Sequence, residues 1–262
     1  YKKALALIEL NARRGALSPE DQRAKALIQA RQPRDRREAV RNLEESFARV
    51  LPTANERFFL ATLLVANGEW ERAKVQFVEL RRSRDGQNPL FLAYYIEQLV
   101  VHNELAEARN ALLLLEKEEP DSLRVVGLRA RLRKASKQET EARDSLTAYA
   151  QRVQKEPAKL LTVARLTDAL GFGETAEPMY REAIAKSMDP SPTKVFPLIQ
   201  HLGRRGKVGE ALDLCEPLRG KVQPLYIAEL AVNALRDGKG TAEQCKRVVG
   251  WVREFKSTAP TE

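Results

Sequence analysis

An alanine recurs along this chain at intervals of about 34 residues, a spacing typical of stacked helical repeats. The recurring positions are Ala39, Ala73, Ala108, Ala142, Ala176 and Ala211. A small side chain fits where two helices cross closely, because a larger one would overpack the contact at a cost of about 1–3 kcal/mol. The repeat therefore predicts an all-α chain built from similar consecutive helical segments.

The residues around each alanine have the periodicity of a helix pair. Four and seven residues after the alanine, nearly every repeat has an apolar residue, which defines one face of the second helix. The first position holds Leu43, Phe77, Leu112, Leu146, Tyr180 and Cys215, and the second holds Ser46, Leu80, Leu115, Tyr149, Ala183 and Leu218. Twelve residues before the alanine, on the first helix, stand Leu27, Ala61, Ile96, Ala130, Ala164 and Ile199.

The two helices of each pair must turn five residues before the alanine. The residues there are Arg34, Gly68, Asn103, Lys137, Gly171 and Gly206. Glycine and asparagine tolerate the left-handed backbone conformation that ends many helices. The three glycines and Asn103 therefore fit such a turn, whereas the other two residues do not favour it.

This pattern resembles the tetratricopeptide repeat, a helix–turn–helix segment of about 34 residues. The best agreement is found in the second repeat, at Leu60, Ala61, Leu64, Gly68, Ala73, Phe77 and Leu80. The resemblance covers about residues 18–218 and implies a right-handed superhelix, an α–α solenoid of about six to seven repeats. Arg129 and Arg133 depart from the family pattern, which predicts a shifted register in the fourth repeat. Arg34 replaces the turn glycine in the first repeat, beside a compressed loop at Pro33.

We predict a single solenoid over residues 1–262. Residues 1–14 are expected to be the second helix of an earlier repeat, with the solenoid cut upstream of Tyr1. Residues 18–218 form six repeats, residues 224–256 an atypical C-terminal capping pair, and residues 257–262 a tail. Capping signals and the repeat place first helices near 19, 54, 89, 122, 157, 192 and 224. They place second helices near 35, 69, 104, 138, 173, 207 and 241.

Length and composition exclude some classes of protein. No run of about 18 apolar residues is present, so the chain is predicted to contain no transmembrane helix. The first residue is not Met and no signal peptide is visible, so we interpret the chain as a fragment or processed product. Cys215 and Cys245 take repeat-core positions and are expected to be small buried side chains. The compartment stays open, with a soluble, cytoplasmic protein favoured.

The sequence offers no arrangement of residues typical of catalysis. His102 and His201 are far apart, and neither has a cysteine or carboxylate at metal-ligand spacing. Both fall near the end of a first helix, where a positive side chain suits the helix dipole. The pair Gly171 and Gly173 coincides with a repeat turn and lacks the strand and lysine of a phosphate loop. We therefore predict no enzyme activity, no catalytic residue, no metal and no cofactor.

The resemblance implies that first helices line a concave, partner-binding surface. The candidate residues there are Phe58, Tyr94, Glu97, Arg124, Arg131, Lys134, Arg165, Phe196 and Arg204. Arg131, Lys134 and Arg165 would contact an acidic or C-terminal carboxylate ligand by charge-assisted hydrogen bonds. The three aromatic rings would be apolar anchors. The alternative is that these charges are solvated or paired within the chain. No repeat has the Lys-x-x-x-Asn element of the chaperone-binding carboxylate clamp, so that function is not supported.

Net charge leaves nucleic acid as a competing partner, since the chain carries +9 at pH 7 with a pI near 9.6. The pentatricopeptide family, which has similar repeats, reads RNA one base per repeat. Here the basic residues are mixed with 36 acidic ones, and no regular pair of polar base-reading positions recurs. The preferred prediction is a non-catalytic scaffold that binds a protein or peptide segment. Salt-sensitive RNA binding, a structural arm of a larger enzyme or assembly, and self-association remain open.

Overall fold

The computed structural model describes residues 2–83, 85–188 and 191–258, and the secondary structure in these ranges is helical. No β-strand occurs among them, and an isolated bridge joins Arg219 and Val222. The first helices along the chain are α1 (Lys2–Arg14), α2 (Pro19–Gln29), α3 (Arg36–Phe47), α4 (Ala54–Ala66), α5 (Trp70–Arg82), α6 (Pro89–Val101) and α7 (Leu105–Glu118). They are followed by α8 (Leu123–Ala135), α9 (Glu139–Arg152), α10 (Pro157–Ala169), α11 (Gly173–Lys186), α12 (Phe196–Arg204), α13 (Val208–Cys215), α14 (Pro224–Gly238) and α15 (Ala242–Thr258). Short 3₁₀ helices lie at Pro33–Asp35, Asp85–Gln87, Pro192–Val195 and Glu216–Leu218.

The helices pack as antiparallel pairs within two compact units, Tyr1–Glu119 and Pro120–Glu262. In the first unit α2 packs on α3, α4 on α5, and α6 on α7, while α1 contacts α2. In the second unit α8 packs on α9, α10 on α11, α12 on α13, and α14 on α15. This helix–turn–helix arrangement is the α–α solenoid that the spacing of the alanines predicts.

Side-chain caps begin several helices at the residues that the sequence indicates. Ser18 accepts a hydrogen bond from the backbone N–H of Asp21 at the start of α2. Thr53 and Glu56 form a complete capping box at the start of α4. Each satisfied N–H would otherwise lack a partner in the first turn. The predicted helix starts are confirmed to within one residue, except that α12 is preceded by the 3₁₀ turn Pro192–Val195.

The recurring alanines form the centre of the helix contacts. Ala39, Ala73, Ala108, Ala142, Ala176 and Ala211 are all 0% exposed. The apolar residues one turn later are also buried, from Leu43 to Cys215. Since each alanine has no accessible surface, there is no room for a larger side chain without moving a helix. The predicted second-helix face is therefore confirmed.

The turns between paired helices repeat one backbone geometry. The five turns from α4–α5 to α12–α13 each have one residue with positive φ: Gly68 (78°), Asn103 (59°), Lys137 (62°), Gly171 (84°) and Gly206 (76°). Lys239 (54°) takes the corresponding place between α14 and α15, whereas none of the described residues of the α2–α3 connection has positive φ. The next residue donates a backbone hydrogen bond to the carbonyl five residues earlier, as in the 2.9 Å bond from Glu69 N to Leu64 O. This is the Schellman motif, which satisfies carbonyls at a helix C-terminus. Lys137 adopts the conformation although its residue type does not favour it.

The first and fourth repeats differ from the predictions made for them. In the first repeat, the connection between α2 and α3 spans residues 30–35 and includes a 3₁₀ turn. The prediction of a compressed loop at Pro33 is therefore wrong. With this longer connection the residue of α2 that faces the core moves by one position. Ala26 is 0% exposed, whereas Leu27 is 52% exposed. In the fourth repeat Ala130 is 0% exposed, like its equivalents, so the predicted register shift is also wrong.

The two arginines that suggested the shift keep their charged ends away from the core. Arg129 and Arg133 are both half-buried. The guanidinium of Arg133 donates a 3.0 Å hydrogen bond to the carbonyl oxygen of Glu141 on α9. A long side chain can bury its methylene groups while its head stays solvated or hydrogen-bonded. These positions therefore accept arginine without a change of register.

Two expectations at the C-terminal end need correction. Cys215 is buried as expected, but Cys245 is exposed, because α15 turns Val248 and Trp251 toward the core instead. Helix α15 continues to Thr258, so residues 257–258 are helical, not the start of a tail. Residues 259–262 and Tyr1 lie outside the described residues.

Candidate partner-binding face

The predicted partner-binding residues lie on first helices in both compact units. The first unit contains Phe58 on α4 and both Tyr94 and Glu97 on α6. The second unit contains the other six: Arg124, Arg131 and Lys134 on α8, Arg165 on α10, and Phe196 and Arg204 on α12. In each unit, the surface formed by that unit's positions is called its first-helix face. Its residues differ in how much of each side chain is available to a partner.

In the first unit the predicted aromatic anchors are part of a cluster of rings. Phe58 stacks on Phe91 with ring centroids 4.4 Å apart, and meets Tyr94 edge-on at 5.5 Å. The ring centroid of Phe77 on α5 lies 5.9 Å from that of Tyr94. Burial, with a smaller contribution from Glu97, raises the pKa of the Tyr94 hydroxyl. Such ring pairs stabilise helix packing, so Phe58 and Tyr94 join α4, α5 and α6 and leave only part of each ring exposed.

Two of the predicted basic residues in the second unit contact the chain itself. The ammonium of Lys134 on α8 donates to the carbonyl oxygen of Leu170 at the C-terminus of α10. It also lies 5.4 Å from the centre of the Phe172 ring. Arg204 on α12 pairs with the carboxylate of Asp168 on α10. A cation at a helix C-terminus satisfies carbonyls that have no backbone partner, so Lys134 and Arg204 connect neighbouring repeats.

Two other basic residues remain available to a ligand. Arg131 on α8 and Arg165 on α10 stand at equivalent positions of consecutive repeats, and both are exposed. Within the described part of the chain, neither guanidinium has a hydrogen bond or an ion pair. Arg124 and Phe196 are half-buried, and Phe196 packs against the core of the second unit.

A shallow cavity of about 340 Å³ lies beside Arg165 in the second unit. Three consecutive helices contribute its lining, which consists of Arg165, Asp168, Ala169, Tyr180, Pro197, Gln200 and Arg204. The packing of these helices fixes the position of the lining residues. Gln200 lies on α12, one turn after Phe196 and one turn before Arg204, and so extends the first-helix face. Tyr180 is a core residue in the repeat pattern, and its contribution to the cavity was not predicted.

A buried histidine lies behind this cavity. His201 is 0% exposed, and its Nδ1 lies 2.9 Å from Oδ1 of Asp168. Its Nε2 lies 3.8 Å from a carboxylate oxygen of Glu177 on α11, and its ring centroid is 5.2 Å from that of Tyr180. His201 therefore contacts two carboxylates in addition to lying near a helix end, where a positive side chain suits the helix dipole. Contacts between residues about one repeat apart could have indicated this, since Asp168 and His201 have that separation.

The buried contacts also set the charge of Asp168. Burial raises the pKa of its carboxyl group, but the close contacts with the His201 imidazole and the Arg204 guanidinium outweigh this and hold the pKa below its ordinary value. Burial raises the pKa of the Tyr180 hydroxyl to about 12. At neutral pH Asp168 is therefore a carboxylate, and Tyr180 keeps its proton.

The first unit has its own cavity, of about 410 Å³, away from the first-helix face. It lies among α5, α6 and α7 and the 3₁₀ turn Asp85–Gln87, and Arg81 and Arg82 line part of it. The guanidinium of Arg82 pairs with Glu79, and that of Arg81 lies 5.9 Å from the Tyr95 ring. Arg81 and Arg82 thus lie at the C-terminal end of the second helix α5.

In the ranges 2–83, 85–188 and 191–258, no three His, Cys, Asp or Glu side chains are grouped so that they could hold a metal ion. No helix in the described ranges has the length and apolar character needed to cross a membrane.

Comparisons with known proteins identify the fold. No protein-family model matches the chain, and no curated protein sequence matches it. Its structure is similar to the C-terminal part of a TPR repeat-containing protein from Cytophaga hutchinsonii, with a TM-score of 0.58 and 13% identity, over 94% of this chain and 93% of that one. PilF of Pseudomonas aeruginosa aligns at a TM-score of 0.48 and 16% identity, over 88% and 99% of the two chains. At 13% identity the first likeness concerns the fold alone. Together with the recurring alanines and the repeated turns, it shows that this chain has the tetratricopeptide-repeat fold.

Proposed function

We propose that this chain is a non-catalytic scaffold that binds an extended or helical segment of a partner protein on its first-helix face. The tetratricopeptide-repeat fold generally serves as a protein-interaction scaffold, and stacked first helices offer a continuous surface for such a segment. The basic part of the face in the second unit would select a partner segment that carries negative charge.

The pair Arg131 and Arg165 is the observation that carries this proposal. Several other cations of the second unit are engaged by carboxylates of neighbouring repeats: Lys207 by Glu177 and Arg247 by Asp213. Arg131 and Arg165 are exposed and unpaired among the described residues, at the same position of two consecutive repeats. An exposed guanidinium without an internal partner can form charge-assisted hydrogen bonds with a ligand and lose little by leaving water.

The proposal is tested by a pull-down from the native source with three versions of the chain. These are the wild type, Arg131→Glu/Arg165→Glu, and the control Lys155→Glu/Lys246→Glu. The control changes the net charge equally, at two exposed cations that lie off the first-helix face. We expect the wild type and the control to retain one discrete protein that the Arg131→Glu/Arg165→Glu variant loses.

Two outcomes would contradict the proposal. Retention of the same protein by all three versions would move binding to another surface. Recovery mainly of nucleic acid, released by nuclease or by moderate salt, would favour an RNA-binding function, since phosphate contacts weaken steeply as salt rises.

A further inference from the structure

We infer that the cavity beside Arg165 is a subsite for the carboxylate side chain of an acidic residue in the partner segment. This inference rests on the proposed function and adds the chemical class of the group recognised. The cavity combines an unpaired cation, an amide and small apolar surfaces in one place.

The charges around the cavity leave a net positive group at its edge. Asp168 is the carboxylate in its lining, and both of its oxygens already face cations or imidazole nitrogen: Oδ1 faces His201, and Oδ2 pairs with Arg204. Arg165 lies one helical turn before Asp168 on α10, yet it forms no ion pair with it or with any other described residue. A carboxylate entering the cavity would therefore meet an uncompensated guanidinium instead of displacing an existing ion pair.

The shape of the lining suits a side chain better than a larger ligand. Its volume of about 340 Å³ is at the lower end of the range for small-molecule sites. Gln200 on α12 faces the cavity together with Arg165 on α10 and offers an amide donor. Ala169 and Pro197 supply apolar contacts for methylene groups. A guanidinium binds a carboxylate through two parallel hydrogen bonds, which suits glutamate or aspartate.

The same lining argues against single-stranded RNA as the occupant. Binding of single-stranded nucleic acid depends largely on exposed aromatic rings on which successive bases stack. The aromatic ring in this cavity is Tyr180, which is 2% exposed and packed against the core. An acidic peptide segment therefore fits the cavity, whereas a nucleotide would find no ring surface for its base.

A blocked, fluorescently labelled peptide of alternating glycine and glutamate is the probe, and the glycine–glutamine peptide is its uncharged control. Binding is followed by fluorescence anisotropy with the wild type, Arg165→Gln and the matched control Lys155→Gln. We expect Arg165→Gln to raise the Kd for the glutamate peptide by about ten-fold or more, which corresponds to about 1.4 kcal/mol. We expect Lys155→Gln to leave the Kd within about two-fold, and the glutamine peptide to bind at least ten-fold more weakly. Equal melting temperatures of the three proteins would show that the change is local.

The inference is overturned if the glutamate peptide does not bind, if Arg165→Gln leaves its Kd unchanged, or if the glutamine peptide binds equally well. It is also overturned if polyuridylate displaces the peptide from the wild type but not from Arg165→Gln, because phosphate would then be the ligand of Arg165. These failures are distinct from failure of the proposed function. If Arg131→Glu/Arg165→Glu loses the native partner but Arg165→Gln binds the glutamate peptide with an unchanged Kd, the scaffold function stands and the carboxylate subsite does not.

Discussion

Replacing Lys137 by glycine should stabilise the second unit. Lys137 has φ = 62° in the turn between α8 and α9, where the other repeats place Gly68, Gly171 or Gly206, or Asn103. Its side chain is exposed and forms no hydrogen bond or ion pair with another described residue. The backbone hydrogen bond of 2.9 Å from Lys137 N to Lys134 O does not depend on the side chain. The substitution therefore changes the backbone preference and little else.

The size of the effect follows from two opposing contributions. A side chain in the left-handed region costs about 1–2 kcal/mol relative to glycine. Glycine has greater conformational freedom in the unfolded chain, which returns about 0.4–1 kcal/mol of this gain. The net stabilisation is about 0.5–1 kcal/mol, or a rise of about 1–4 °C in Tm for a protein of this length.

Gly68→Ala in the first unit is the converse substitution. Gly68 has φ = 78°, and a Cβ added there would meet no atom within 4 Å, so its cost comes from the backbone alone. We expect Gly68→Ala to lower stability by about 1 kcal/mol. Hydrogen exchange of the amides in α8–α9 and α4–α5, together with calorimetric melting, reports each repeat separately. Faster exchange in α8–α9 of Lys137→Gly, or no loss in Gly68→Ala, would refute the left-handed turn as the common element of the repeats.

Three further predictions follow from burial and charge. Ala142→Phe should lower the melting temperature, because Ala142 is 0% exposed and the ring would force α8 and α9 apart; an unchanged melt would count against the helix register. The pKa of Asp168 is lowered on folding, so its contribution to stability is complete above the unfolded pKa of about 3.9 and is lost as pH falls through the folded value. Asp168→Asn should thus flatten the acid side of the stability profile measured by urea unfolding, and an unaltered profile would contradict the assignment. A thiol reagent should modify exposed Cys245 rapidly and Cys215 only on unfolding, since burial raises the pKa of the Cys215 thiol to about 12; equal rates would be inconsistent with this packing.

Most of the fold could be predicted because its contacts are local and repeated. A close helix crossing demands a small residue, so one alanine in each repeat marks the crossing, and apolar residues one and two turns later mark the buried face. Where a connection changes length, that inference fails. In the first repeat the connection includes the 3₁₀ turn Pro33–Asp35, and Ala26 is buried in place of the predicted Leu27. The last pair lacks the repeat pattern, and the exposure of Cys245 could not be read from spacing.

The candidate site was less predictable, because helical spacing gives the face of a residue but not its partners. Lys134 and Arg204 stand on the predicted face, yet each bonds to the neighbouring repeat. These bonds join residues about one repeat apart, and other charged pairs such as Arg181 with Glu210 have a similar separation. Comparing charges between adjacent repeats would have separated Arg204 from Arg131 and Arg165, but not Lys134, whose acceptor is a backbone carbonyl. The cavity needs three-dimensional packing of three helices, which no linear pattern contains.

Photo-cross-linking from defined positions tests most directly whether the first-helix face binds the partner. A photo-reactive benzoylphenylalanine replaces either Gln200, exposed on α12 beside the Arg165 cavity, or Gln151, exposed on the second helix α9. We expect irradiation in an extract of the native source to yield one discrete protein adduct from position 200 and none from position 151. The same adduct from position 151 alone, or equal yields from both positions, would contradict recognition on the first-helix face.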